Sequence, residues 1–176
     1  VTDNNGCTAN DNMSITVNPA PDPAINGAGP FCANDAPVSL TATTPGGTFS
    51  GIGVSGSTFD PSVAGAGTHT IYYSVTNAFS CSANDSISIL VNPVPNAAIT
   101  PLGPFCEDAA SVSLNSATPG GNWSGSGVSG SSFDPTAVTP GTHQITYNVT
   151  DGNGCSSSDN INVTVNALPS ASITPV

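Results

Sequence analysis

The chain has 176 residues, no lysine or arginine, eleven acidic residues and two histidines, for a formal net charge of −11 at pH 7. Nothing in it can neutralise phosphate, which argues against nucleic acid and anionic membrane surfaces as partners, and no apolar run reaches the length of a membrane span. Five regularly spaced cysteines amid abundant Gly, Pro, Ser, Thr and Asn fit an oxidising, extracellular setting.

A beat of 74 residues runs through the sequence: Cys7, Cys81 and Cys155 keep that spacing, as do Cys32 and Cys106, Phe59 and Phe133, His69 and His143, and Tyr73 and Tyr147. Self-similarity at a fixed period marks a tandem array. The division expected is 1–19 as the last strands of a truncated preceding repeat, 20–93 and 94–167 as two full repeats, and 168–176 as the first strand of a truncated following one. The chain is accordingly read as a window from a longer array, because end repeats need neighbours or caps to cover their apolar faces.

In chain order, Met13, Ile15 and Val17 alternate with polar residues and predict a strand. "NPAPDP" (18–23) is a short stiff joint, since proline fixes φ and cannot continue a sheet. A short extended piece at "PAIN" follows, then strands at "PVSLTAT", "GGTFSG" and "VSGSTFDP", and an alternating pair ending in Ile87, Ile89 and Val91. After the joint "NPVP" (92–95) the order repeats, with Ile145, Tyr147 and Val149 on one face of "THQITYNVT" and Ile161, Val163 and Val165 on one face of "SDNINVTV". "DGNGCSS" joins the last two as a hairpin. The prediction is all-β: tandem immunoglobulin-like β-sandwich repeats of about seven strands each, with no helix.

"GIGVSG" (51–56) has the glycine spacing of a dinucleotide-binding loop, but no helix opens after it. The pattern returns at "GSGVSG" (125–130), where glycines serve a tight hairpin or bulge through positive φ. His69 and His143 read as structurally bonded strand histidines, and no nucleophile elbow accompanies them. Asp3 and Asp151, in "DNNG" and "DGNG", and the nearby Asp11 and Asp159 are weak calcium candidates. A tight turn explains the same residues, and the middle copy reads "NAFS". No other cofactor is expected. Trp123, aligned with Phe49, is read as core rather than a sugar platform, and five N-x-S/T sequons (Asn12, Asn84, Asn122, Asn148, Asn162) reflect a composition rich in Asn and Ser.

A domain of this size buries only about 60% of its unfolded surface, so a covalent staple is expected. The favoured pairing lies inside each repeat, Cys32 with Cys81 and Cys106 with Cys155, leaving Cys7 for a partner outside the window. The rival clips neighbours together through Cys7–Cys32 and Cys81–Cys106; spacing alone does not choose between them.

The strings "GGxxSGxGVSGxxFDP", "GTHxIxYxVT" and "GCSxSDxIxVxVN" resemble tandem immunoglobulin-like or PKD-like repeats of very large cell-surface proteins of Bacteroidota, including gliding-motility adhesins exported by the type 9 secretion system. The resemblance implies an extracellular stalk or filament. It also marks Ser86, in "DSI", as an O-glycosylation acceptor. The function expected is a structural, non-enzymatic array at the cell surface, whose partners are neighbouring repeats and other copies in a fibre, with no nucleic acid and no membrane insertion. The alternative is a carbohydrate- or calcium-binding β-sandwich module of a secreted protein.

Overall fold

A computed structural model describes residues 1–171. The first full repeat forms seven strands: β1 (Phe31–Cys32), β2 (Val38–Ser39), β3 (Thr48–Ser50), β4 (Val54–Ser55), β5 (Thr58–Phe59), β6 (Gly67–Thr76) and β7 (Ser82–Asn92). The second gives β8 (Phe105–Cys106), β9 (Val112–Ser113), β10 (Asn122–Gly125), β11 (Val128–Ser129), β12 (Ser132–Phe133), β13 (Gly141–Thr150) and β14 (Ser156–Asn166). The longest strands are those whose alternation is longest in sequence.

Each repeat is an immunoglobulin-like sandwich of a four-stranded and a three-stranded sheet, ordered β1-β7-β6-β3 and β2-β5-β4 in the first and β8-β14-β13-β10 and β9-β12-β11 in the second. Strand β1 runs parallel to β7, with Phe31 opposite Val91 and Cys32 opposite Asn92; β8 repeats this on β14. "PAIN" and "AAIT" contribute single bridges, Ile25 to Ala42 and Ile99 to Ser116.

The core follows the period-two faces. Phe59, from the smaller sheet, is fully buried against Ile71 and Ile89 of the larger one, with Leu40 and Val91 closing the cluster; Phe133, Ile145, Val163, Leu114 and Val165 reproduce it. A second cluster sits nearer the other end of each sandwich, around Tyr73, Val75 and Ile25 and around Tyr147, Val149 and Ile99. Burying a side chain of this size contributes roughly 1.5–3 kcal/mol, so these residues carry most of the apolar stabilisation.

Three expectations need correction. Met13, Ile15 and Val17 form no strand and are 83%, 76% and 87% exposed. Alternation makes a strand only when a sheet and a facing layer receive it, and here neither is present. The strand expected over 168–176 is absent from Leu168 to Ala171, and its remainder lies outside the described residues. A helical turn, α1 (Pro61–Ala64), follows β5, and a 3-10 turn (Pro135–Ala137) follows β12. Asp60 and Asp134 cap these turns, and the proline after each supplies a preset φ where no N–H is needed.

Candidate functional site: the joint between the sandwiches

The recurrent polar residues are occupied in holding the backbone. Tyr73 donates its hydroxyl to the Thr44 carbonyl at 2.7 Å and accepts from the Gly47 N–H at 2.8 Å; Tyr147 does the same with Thr118 and Gly121, at 2.7 Å each. A Cβ at Gly47 or Gly121 would collide with the tyrosine ring and the adjoining β6 or β13 backbone, so the glycine is needed for this approach. Phe49 and Trp123 lie over those rings with centroids 4.4 Å apart, and Trp123 is half-buried, packed on Tyr147 rather than enclosed in the core. The ring Nε2 of His69 bonds the Gly65 carbonyl at 2.8 Å, and that of His143 bonds Thr139 at 2.7 Å.

The glycines of "GIGVSG" and "GSGVSG" run from the end of the third strand to the turn before the fifth in each repeat. Gly53 has φ +80° and lies against α1, where a Cβ would be 2.7 Å from the Ala64 Cβ. The loop packs on its own helical turn and holds no phosphate cradle opening a longer helix.

The aspartates proposed for calcium also have structural roles. Asp3 Oδ1 accepts from the N–H groups of Asn5 and Cys7, and Asp151 Oδ1 accepts from Asn153 and Cys155. Asn77 forms the same turn with Phe79 and Cys81, so an uncharged amide suffices. Asp159 Oδ2 accepts from the Ile99 N–H at 2.9 Å, tying the start of a repeat to its last strand, and Asp85 binds Ile25 alike. Asp11 Oδ1 accepts from the next N–H, that of Asn12. Among the described residues, no three His, Cys, Asp or Glu side chains cluster as metal ligands. Ser86 is exposed on β7, opposite Tyr72.

The disulfide corrects both pairings considered from sequence. Cys32 is bonded to Cys155, with Cα atoms 5.5 Å apart across 123 positions of sequence. Cys7, Cys81 and Cys106 are free thiols. The favoured intra-repeat bridge fails on distance: Cys32 lies beside Asn92, the last residue of β7, whereas Cys81 precedes its first. Eleven strand residues span about 35 Å, and a disulfide tolerates only about 7 Å between Cα atoms. The two cysteines of one repeat occupy opposite ends of one sandwich, and the bridge forms where the far end of the first meets the near end of the second.

That joint is built from both sides. The turn after β1 is closed by Asp35, whose carboxylate accepts from the Cys32 N–H at 2.7 Å, while Ala33 N–H bonds the Asn92 carbonyl. The Asp151 turn presents fully buried Cys155 from the β13–β14 hairpin. Asn34 then donates its side-chain amide to the Ser156 carbonyl at 3.0 Å. The chain thus crosses once through the "NPVP" segment, the disulfide crosses a second time, and a hydrogen bond supports both.

A groove of about 540 Å³ opens beside Phe49 and Tyr73, lined also by Leu40 and Pro45; one of about 450 Å³ recurs beside Trp123 and Tyr147.

No protein-family model matches the chain, and no curated protein matches it. Among solved structures it matches hemolin, an insect immune protein whose domain arrangement was described with implications for homophilic adhesion, at 12% identity and a TM-score of 0.40. The match covers 90% of this chain and 49% of hemolin, so the chain spans about half that protein's length.

Proposed function

We propose that the chain is part of an extracellular, non-enzymatic spacer: a tandem array of sandwiches that forms the stalk or filament of a cell-surface adhesin. The observation that carries this reading is the joint, where two sandwiches are tied end to end by Cys32–Cys155 as well as by the chain itself. A bridge of this kind persists in an oxidising compartment. It constrains the relation between domains, which serves reach and rigidity rather than catalysis. The repeated Asp, Asn, Tyr and His side chains support the same reading because their polar atoms bond backbone groups of the fold.

Electron microscopy of the native assembly tests it. The expected image is a thin fibre with a regular axial repeat of about 40 Å per sandwich, the length of the last strand plus the bridged joint. A globular particle without that periodicity overturns the reading. Calcium chelation is expected to leave the melting temperature unchanged, because the aspartates act as turn and strand caps.

The recurrent groove with its half-buried aromatic favours a second reading, a carbohydrate-binding module. Binding of the 176-residue chain on a glycan array, lost in Trp123→Ala with its fold retained, would select that reading over the stalk.

A further inference from the structure

The bridge and the 74-residue beat do not share a boundary. Cys32 belongs to the early position of one repeat and Cys155 to the late position of the next, so within the two repeats the late cysteine of the first, Cys81, and the early cysteine of the second, Cys106, are left over. Each stands in half of a joint whose backbone follows that of the closed one, although Ala109 stands where Asp35 caps the Cys32 N–H. At the far end of the second sandwich, Cys106 lies opposite Asn166 in the parallel register that sets Cys32 opposite Asn92, and Glu107 N–H bonds the Asn166 carbonyl as Ala33 N–H bonds that of Asn92. At the near end of the first sandwich, the arriving chain already runs past Cys81: Asn77 donates its side-chain amide to the Pro19 carbonyl at 2.8 Å, and the Cys81 sulfur lies 3.9 Å from the Asn18 carbonyl oxygen. What each half lacks is the opposing sandwich. Cys106 is exposed and Cys81 half-exposed, while Cys155, which has its opposing sandwich, is fully buried.

We propose that Cys81 and Cys106 complete further copies of the Cys32–Cys155 bridge with the sandwiches preceding and following them, so that every joint of an array is closed by a disulfide that skips from one repeat's early cysteine to the next repeat's late one. Each bridge forms by thiol–disulfide exchange with an external disulfide donor. One thiolate attacks the donor to give a mixed disulfide and releases one donor thiol. The second thiolate displaces the other, and the donor leaves carrying the two electrons removed from the cysteine pair.

The stagger dictates where tension runs. Pulled from its ends, such an array is a covalent ladder with two rails. Each rail alternates a bridge with a span such as Cys81 to Cys106, which holds the last strand of one sandwich and the "NPVP" joint. The spans Cys32 to Cys81 and Cys106 to Cys155 are rungs between the rails. They carry β2 to β6 and β9 to β13, with Phe59, Tyr73, Phe133 and Tyr147, and so the greater part of each core is shielded from load. Asp108 stands where the first repeat has Asn34 and offers no amide to the next sandwich, so at that joint the disulfide acts without the hydrogen bond that Asn34 supplies.

This rests on the tandem-array reading but is tested independently of it, in an array built to order. Residues 1–167 followed by a second copy of 94–167, which carries Asp108→Glu and Ser158→Thr at exposed positions as mass tags for its own two cysteines, are oxidised in a glutathione buffer, alkylated, cut with a broad-specificity protease and mapped without reduction. The expected map joins Cys106 to the appended copy of Cys155 and retains Cys32–Cys155. Cys106 left alkylated, or joined within its own repeat, overturns the proposal. A failure of the stalk reading, such as a globular native particle, would leave this map unchanged. The second measurement uses the 176-residue chain itself, stretched between its ends. Oxidised, it should keep the 123 positions between Cys32 and Cys155 out of the extensible length; on reduction it should gain about 430 Å of contour. Equal lengths in the two states would overturn the shielding.

Discussion

Tyr147 is the residue at which packing and polarity meet. Its ring fills the core beneath Trp123, and its hydroxyl serves Thr118 and Gly121, which lie 29 and 26 positions earlier. The ring's place on the buried face of β13 was legible from alternation with Ile145 and Val149. Its two bonds were not, because period-two patterning says which way a side chain points and nothing about which loop returns to meet its tip. Asp159 shows the same limit: it reads as an oxygen ligand in sequence, yet it caps an N–H brought to it from Ile99 by the fold. Tyr147→Phe keeps the ring and strands a half-buried Gly121 N–H, so it is expected to cost about 1–3 kcal/mol in denaturant-unfolding stability. Loss below about 0.5 kcal/mol would mean that water replaces the hydroxyl without penalty.

Among the elements, the capped turns after β5 and β12 were missed because four or three residues carry no period. The signal was local: "FDP" in both copies, an N-cap aspartate before a proline. In Asp60 the hydroxyl of Ser62 is the main influence drawing the carboxyl below its ordinary range, aided by the N–H groups of Ser62 and Val63 and opposed by desolvation. In Asp134 the hydroxyl and N–H of Thr136 do the same. A carboxyl more acidic in the folded chain than in the unfolded one binds fewer protons when folded. Its stabilisation is therefore complete above the unfolded carboxyl range and fades as pH falls through the lowered folded value. Both residues lie half-buried at the surface, where solvent screening keeps the effect small. The chain's melting temperature should fall more steeply on acidification below about pH 4 than that of Asp60→Asn/Asp134→Asn, whose amides keep the acceptor but do not titrate there. Parallel acid curves would remove the caps from the account of pH stability.

At the scale of the whole molecule, the strand patterning made the all-β sandwich fold legible, but not how the sheets of 31–92 and of 105–166 are joined. Cysteine spacing is a one-dimensional quantity, compatible with each repeat closing on itself or clipping its neighbour through the nearest thiols. The length of β7 forbids the first option by holding Cys32 and Cys81 at opposite ends. Directionality disposes of the second, since it is the far end of one sandwich that faces the near end of the next. A joint with two covalent crossings resists both bending and twisting, whereas the "NPVP" segment alone leaves rotation about its non-proline bonds. The oxidised chain should therefore tumble as one body in solution. Selective reduction of Cys32–Cys155 should shorten the rotational correlation time from ¹⁵N relaxation toward that of a single sandwich, with each core's chemical shifts preserved. An unchanged correlation time after reduction would place the rigidity in the prolines and in the Asn34–Ser156 contact instead of the disulfide.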